Sequence, residues 1–267
     1  MKTTIFAFAN QKGGVGKTTT SVNLSACLAE RGKKILLVDM DPQANATSGF
    51  GVEKKPGLSI YAALLNEGRA HDVIRPTSVK RVDIISSETD LAGAEIDIAR
   101  MDNYLHRMKQ ALDPVKQEDR YDYIMIDCPP SLGILTMNCL TAADRLVIPI
   151  QCEYYALEGL SVINRLIAQL RDGGANPNLQ IEGIVMTMYD GRTNLAQQVV
   201  QEVGRHFGKK VYSTLIPRTV RLSEAPSYGM PVILYDKNCT GSAAYRQLAR
   251  EFQQRRNARP PELPPTA

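Results

Sequence analysis

Apolar residues along this chain fall into two alternating rhythms. Short, nearly unbroken runs occur at residues 4–10, 35–38, 82–85, 123–126, 146–150, 181–186 and 211–215. They are too short for helices and lack the polar alternation of a half-exposed sheet, so they read as strands covered on both faces. Between them the spacing turns helical, at 18–30, 60–66, 94–112, 157–170 and 195–207, and Arg31-Gly32-Lys33 is a helix stop. A last stripe, Ala243, Tyr245, Leu248, Ala249 and Phe252 with arginines around it, predicts a helix docked on its own domain.

Strand and helix thus alternate through the chain, which predicts an α/β fold with a doubly wound, mostly parallel sheet and helices on both faces, in one domain over residues 1–256. Residues 257–267 contain four prolines and little that could pack, and are expected to be a disordered tail.

Composition narrows the setting. Cys27, Cys128, Cys139, Cys152 and Cys239 show no C-x-x-C spacing, which points to a reducing, cytoplasmic compartment without a disulfide framework or zinc site. No uncharged apolar run approaches the roughly 18–20 residues of a membrane span. The net charge of +4 leans only weakly toward a polyanionic partner, so its distribution has to decide.

The chemistry is concentrated in Lys12-Gly13-Gly14-Val15-Gly16-Lys17-Thr18-Thr19, which follows the first strand and opens into a helix. Glycines allow backbone N–H groups to converge on phosphate oxygens, Lys17 can neutralise the β- and γ-phosphates, and the Thr18 hydroxyl can complete a Mg²⁺ shell. Gln11 stands where the usual G-x-x-x-x-G-K-[ST] pattern has glycine, and a second lysine, Lys12, precedes the glycines. Two acidic sites follow at strand ends, where open α/β sheets bind ligands. Val38-Asp39-Met40-Asp41-Pro42-Gln43 offers two carboxylates for a magnesium shell or an attacking water. Ile126-Asp127-Cys128-Pro129-Pro130 places Asp127 at an apolar strand tip in a Walker-B arrangement, with two prolines stiffening the segment beyond.

Together with Ile216-Pro217-Arg218 and Ser223-Glu224-Ala225-Pro226-Ser227-Tyr228-Gly229, these motifs resemble the ParA/Soj chromosome- and plasmid-partitioning ATPases of the deviant Walker-A group, over roughly residues 3–256. The resemblance implies ATP and Mg²⁺ as cofactors and a dimer formed face to face on ATP, with Lys12 of each subunit entering the other's site. It implies that Lys17 contacts the β/γ-phosphates and Thr18 ligates Mg²⁺. Asp41 positions the water, Asp39 supports the site and Asp127 is the Walker-B acid; Asp41 and Asp127 reach the metal through water. Gly13, Gly14, Val15, Gly16 and Thr19 complete the cradle, with Met186, Pro217 and Arg218 on the base side.

Gln11 and the proline-rich end separate the chain from MinD-like proteins, which resemble it otherwise but finish in a basic membrane helix. The cysteine pattern does not suit an iron protein. The loop begins about ten residues in, so the resemblance is to the short form without an N-terminal helix-turn-helix domain. Relatives of that form bind duplex DNA without sequence preference and answer to a ParB/Spo0J-type centromere-binding partner, which implies a nucleoid-associated location. Arg192, Arg205, Lys209, Lys210, Arg218 and Arg221 are the candidate phosphate contacts, expected to make one surface. The alternative is a MinD-like or cargo-positioning switch that works without DNA.

Overall fold

A computed structural model describes residues 2–258. The strands are β1 (Thr4–Phe8), β2 (Ile35–Asp39), β3 (Ile74–Pro76), β4 (Val82–Ile85), β5 (Tyr123–Asp127), β6 (Arg145–Gln151) and β7 (Gln180–Thr187). They form one sheet in the order β3-β4-β2-β5-β1-β6-β7, parallel except for the antiparallel edge strand β3.

The near-continuous apolar runs bury both sheet faces by alternation. On β1, Ile5 and Ala7 enter one core while Phe6 and Phe8 enter the other, and Ile124 and Ile126 oppose Tyr123 and Met125 in the same way on β5. One layer holds α1 (Lys17–Glu30), α2 (Asn45–Gly49) and the later α9 (Val220–Glu224), α10 (Val232–Tyr235) and α11 (Thr240–Asn257). The other holds α3 (Tyr61–Leu64), α4 (Leu91–Ala99), α5 (Arg107–Gln117), α6 (Ile134–Ala142), α7 (Ala156–Asp172) and α8 (Asn194–Phe207). On α11, Tyr245, Leu248, Ala249 and Phe252 are buried while Ala243 is exposed, and the Phe252 ring sits 5.0 Å from Phe6 and 5.6 Å from Tyr123. Among the described residues no helix is long and apolar enough to cross a membrane.

Three elements differ from the sequence reading. The helix expected over 94–112 is two helices, α4 and α5, because Asn103 at φ +55° breaks the path between them. The run 211–215 is no regular strand. Val211 bridges Ile184, but the Ser213 and Thr214 amides donate to the Glu251 carboxylate at 2.8 and 3.0 Å, which removes them from any ladder. The short β3 carries too few residues to show a pattern. Helix α11 runs through Asn257, and the rest of the proposed tail beyond Ala258 lies outside the described residues.

Candidate functional site

Parallel strands place their C-terminal ends along one edge, and the phosphate loop leaves β1 at the middle of that edge. Gly14 (φ +73°) and Gly16 (φ +85°) take the left-handed turns that fold Lys12-Gly13-Gly14-Val15-Gly16 over the start of α1. No side chain caps α1 and no acidic residue lies in its first turn, so its N-terminal N–H groups have no side-chain acceptor. That is the donor set an anionic phosphate requires.

The loop is suspended from β6 and β7, the strands on one side of β1. The Asn10 side chain donates to the Pro149 carbonyl at 2.8 Å and accepts from the Lys12 amide at 3.0 Å. At the end of β7 the Thr187 hydroxyl lies between the Val15 carbonyl at 2.8 Å and the Ile150 carbonyl at 2.9 Å.

Behind the loop the carboxylates converge. The Thr18 hydroxyl donates to Asp127 Oδ2 at 2.8 Å and the Ser21 hydroxyl to Oδ1 at 3.0 Å. Asp39 accepts from the Thr47 amide and hydroxyl at 2.8 and 2.7 Å and from the Asp41 amide at 3.2 Å, while Asp41 accepts from the Gln43 amide at 3.0 Å. Burial pushes the Asp39 and Asp127 carboxyls above the usual carboxylate range, and in Asp127 the nearby Asp39 charge adds to the rise. Burial also lowers the Lys17 ammonium, against the pull of Asp127 and Asp41. Lys17 Nζ donates to the Lys12 carbonyl at 3.1 Å. Among the described residues no three His, Cys, Asp or Glu side chains form a ready metal cage. Mg²⁺ takes few protein ligands and completes its shell with phosphate and water, so the Thr18 hydroxyl beside the Asp127 carboxylate is a donor set that fits it.

A cavity of about 590 Å³ opens beside the loop, within the range of small-ligand sites. Gly16, Thr18 and Thr19 form its loop side, and Met188, Pro217 and Arg218 its far side. Met186 does not line it. That side chain is fully buried in β7, and its carbonyl accepts from the Ile216 amide at 2.9 Å; Met188, at φ +51°, lines the cavity instead. The segment that closes this side touches the loop beyond α2 backbone to backbone: a Cβ on Gly229 would lie 2.7 Å from Gly51 Cα, and one on Gly51 2.9 Å from the Gly229 carbonyl oxygen.

Lys12 stands apart from the buried Lys17. Its Nζ pairs with Glu153 at 2.6 Å, with the two side chains 49% and 45% exposed, and it lines a crevice on the β6 side rather than the large cavity.

The basic residues divide into two groups. Arg192 and Arg218 line a second hollow beside the first; Arg221, three residues beyond Arg218, does not line it. Arg205, Lys209 and Lys210 lie at the end of α8, whose 14 residues span about 20 Å, so they do not share that hollow. Three of the arginines are paired: Arg192 with Asp190 at 2.6 Å, Arg205 with Glu202 at 3.1 Å, and Arg221 with Glu224 at 3.0 Å and Asp236 at 3.3 Å. Among the described residues the charged groups of Lys209, Lys210 and Arg218 make no ion pair.

Sequence reasoning missed Asn10, Ser21, Thr47, Glu153 and Thr187. Only Ser21 carried a usable signal, since it lies one helical turn beyond Thr18 on the same face.

Comparison with known proteins shows the family and the fold. A family model described as an AAA domain matches residues 3–181. The sporulation initiation inhibitor protein Soj of Bacillus subtilis is 55% identical over 248 residues, which cover 92% of this chain and 97% of that protein. This chain belongs to the ParA/Soj family of partitioning ATPases. Another ParA/Soj relative, the chromosome partitioning protein ParA of Caulobacter vibrioides, is 46% identical over 256 residues and covers 96% of both chains. The ParA/Soj chain also superposes on cobyrinic acid a,c-diamide synthase from Mycobacterium smegmatis, solved with bound ADP and magnesium, with a TM-score of 0.82, 33% identity and 96% coverage of both chains.

Proposed function

We propose that this ParA/Soj ATPase is a slow, ATP-driven switch that dimerises on ATP, binds duplex DNA without sequence preference and leaves it on hydrolysis. The observation that carries this reading is the separation of the two lysines. Lys17 is buried beside the acidic cluster, whereas Lys12 is half exposed and held on Glu153. A cation presented outward beside a phosphate site is placed to serve a second copy, where added positive charge stabilises phosphoryl transfer.

In this reading Gly13, Gly14, Val15, Gly16 and Thr19 cradle the phosphates, Lys17 neutralises the β- and γ-oxygens, and Met188, Pro217 and Arg218 flank the base. Thr18 would hold Mg²⁺ directly, with Asp41 and Asp127 acting through water; the metal supplies charge neutralisation at the phosphoryl oxygens. Asp41 orients the attacking water, and Asp39 fixes Asp41 through its amide. Arg192, Arg218 and Arg221, with Arg205, Lys209 and Lys210 on the far end of α8, supply phosphate contacts to DNA. A ParB/Spo0J-type partner times hydrolysis, and the protein works in the cytoplasm on the nucleoid.

The deciding experiment is binding to duplex DNA with ATP, with ADP and without nucleotide. Binding confined to the ATP state supports the reading, and loss of ATP-dependent binding in Lys12→Ala, with ATP affinity retained, ties it to the dimer. An ATP dimer that ignores DNA would replace it with a switch that positions another cargo.

A further inference from the structure

Tyr154 and Tyr155 are 77% and 65% exposed at the entrance to α7, their rings edge to face at 5.2 Å. Solvent is a poor place for two adjacent aromatic rings, and tyrosine is enriched where proteins meet. Their position says what they meet. Glu153, the residue that holds Lys12, directly precedes them, and Tyr155 lines the same crevice as Asn10, Lys12 and Glu153. Two rings, one cation and one carboxylate therefore form a continuous patch.

We propose that Tyr154 and Tyr155 are the apolar contact through which a second copy of this chain docks, flanking the lysine that serves the opposite site. The inference rests on the dimer reading above and names the surface that holds that dimer together. Charge favours this occupant. A patch carrying one cation beside one anion has no net charge to repel its own copy across a two-fold axis, and the same two rings then meet from both sides. Nucleic acid is disfavoured there, because Glu153 and the exposed Glu158 in the first turn of α7 oppose phosphate. Four such rings would remove on the order of 500 Å² from water, a substantial part of the roughly 1,200–2,000 Å² buried in a stable interface.

The test uses sedimentation of the full chain with Mg²⁺ and either a slowly hydrolysed ATP analogue or ADP. It compares the unmutated protein with Tyr154→Ser/Tyr155→Ser, Tyr154→Phe/Tyr155→Phe and, as a remote exposed control, Tyr104→Ser. The serine pair should weaken analogue-dependent dimerisation at least about tenfold while nucleotide affinity, measured at concentrations where the protein is monomeric, stays within about twofold. The phenylalanine pair and the control should dimerise as the unmutated chain does. Undiminished dimerisation of the serine pair overturns the surface, including the case in which it loses only DNA binding. Loss of dimerisation in the phenylalanine pair overturns the apolar character of the contact. If the unmutated chain remains a monomer with the analogue, the dimer reading itself fails, and this surface with it.

Discussion

Asp39 and Asp127 are register partners at the tips of adjacent parallel strands β2 and β5, so two fully buried carboxylates face the same site from neighbouring positions. Hydrogen bonds from Thr47, Thr18 and Ser21 offset only part of the cost of ionising them. Their folded-state pKa values lie above the unfolded ones, so the folded protein holds protons that the unfolded chain releases. This contribution to stability is greatest below about pH 4 and is lost as pH rises through the folded values. In metal- and nucleotide-free protein, Asp39→Asn should flatten the decline in unfolding free energy between about pH 4 and pH 6, measured by urea titration. Parallel pH curves for variant and parent would show that Asp39 ionises normally.

Thr187 offers one hydroxyl to the carbonyls of Val15 and Ile150, and so fastens the phosphate loop to β6 and β7. Thr187→Val keeps the shape and removes the donor, leaving buried carbonyl oxygens without it. A loss of about 1–2 kcal/mol is expected, seen as weaker nucleotide affinity and a lower melting temperature, with Thr187→Ser restoring most of both. Equal losses in the valine and serine variants would assign the effect to packing.

Gly51 and Gly229 both take positive φ and touch through their backbones, whereas Gly57 takes φ +74° with nothing within 4 Å of an added Cβ. Gly57→Ala should cost about 1 kcal/mol for backbone strain alone. Gly51→Ala and Gly229→Ala add a backbone clash and should each cost about 2–4 kcal/mol. Denaturant melts of the three variants test this, and similar values for all would mean that the contact yields easily.

Arg192 holds the Asp190 carboxyl down at about 2, and the arginine side chain is 89% exposed. Phosphate must compete with that carboxylate. Asp190→Asn should therefore tighten binding of the ATP form to duplex DNA, while Asp72→Asn, which frees the distant Arg69, should not. Arg218→Ala, at a guanidinium without an ion pair, should lower the salt slope by about 1. Equal effects of Asp190→Asn and Asp72→Asn would show only a change in net charge.

Much of this architecture was legible because it depends on local pattern. The apolar runs marked six of the seven strands; Lys17 and Thr18 open α1, and Asp41 and Asp127 stand at or just past strand ends, where their neighbours announce them. What escaped depends on partners far away in sequence. The 211–215 run has strand composition, yet Glu251, 37 or more residues later, takes its amides. Thr187 anchors a carbonyl 172 residues earlier, and Glu153 pairs with a lysine 141 residues away. Met186 and Met188 could not be told apart by composition. The left-handed turn at Met188 decides which of them meets the cavity.

The meeting of Gly51 with Gly229 has a mechanical consequence. Where two backbones touch with no side chain between them, there is no rotamer to flip and no methylene to compress, so either strip can yield only by moving its main chain. One of these strips of chain follows the helix whose Thr47 grips Asp39; the other closes the cavity and leads back to Arg221 and Arg218. A displacement of Asp39 carried through Thr47 to Gly51 would therefore press on the strip that leads to Arg221 and Arg218.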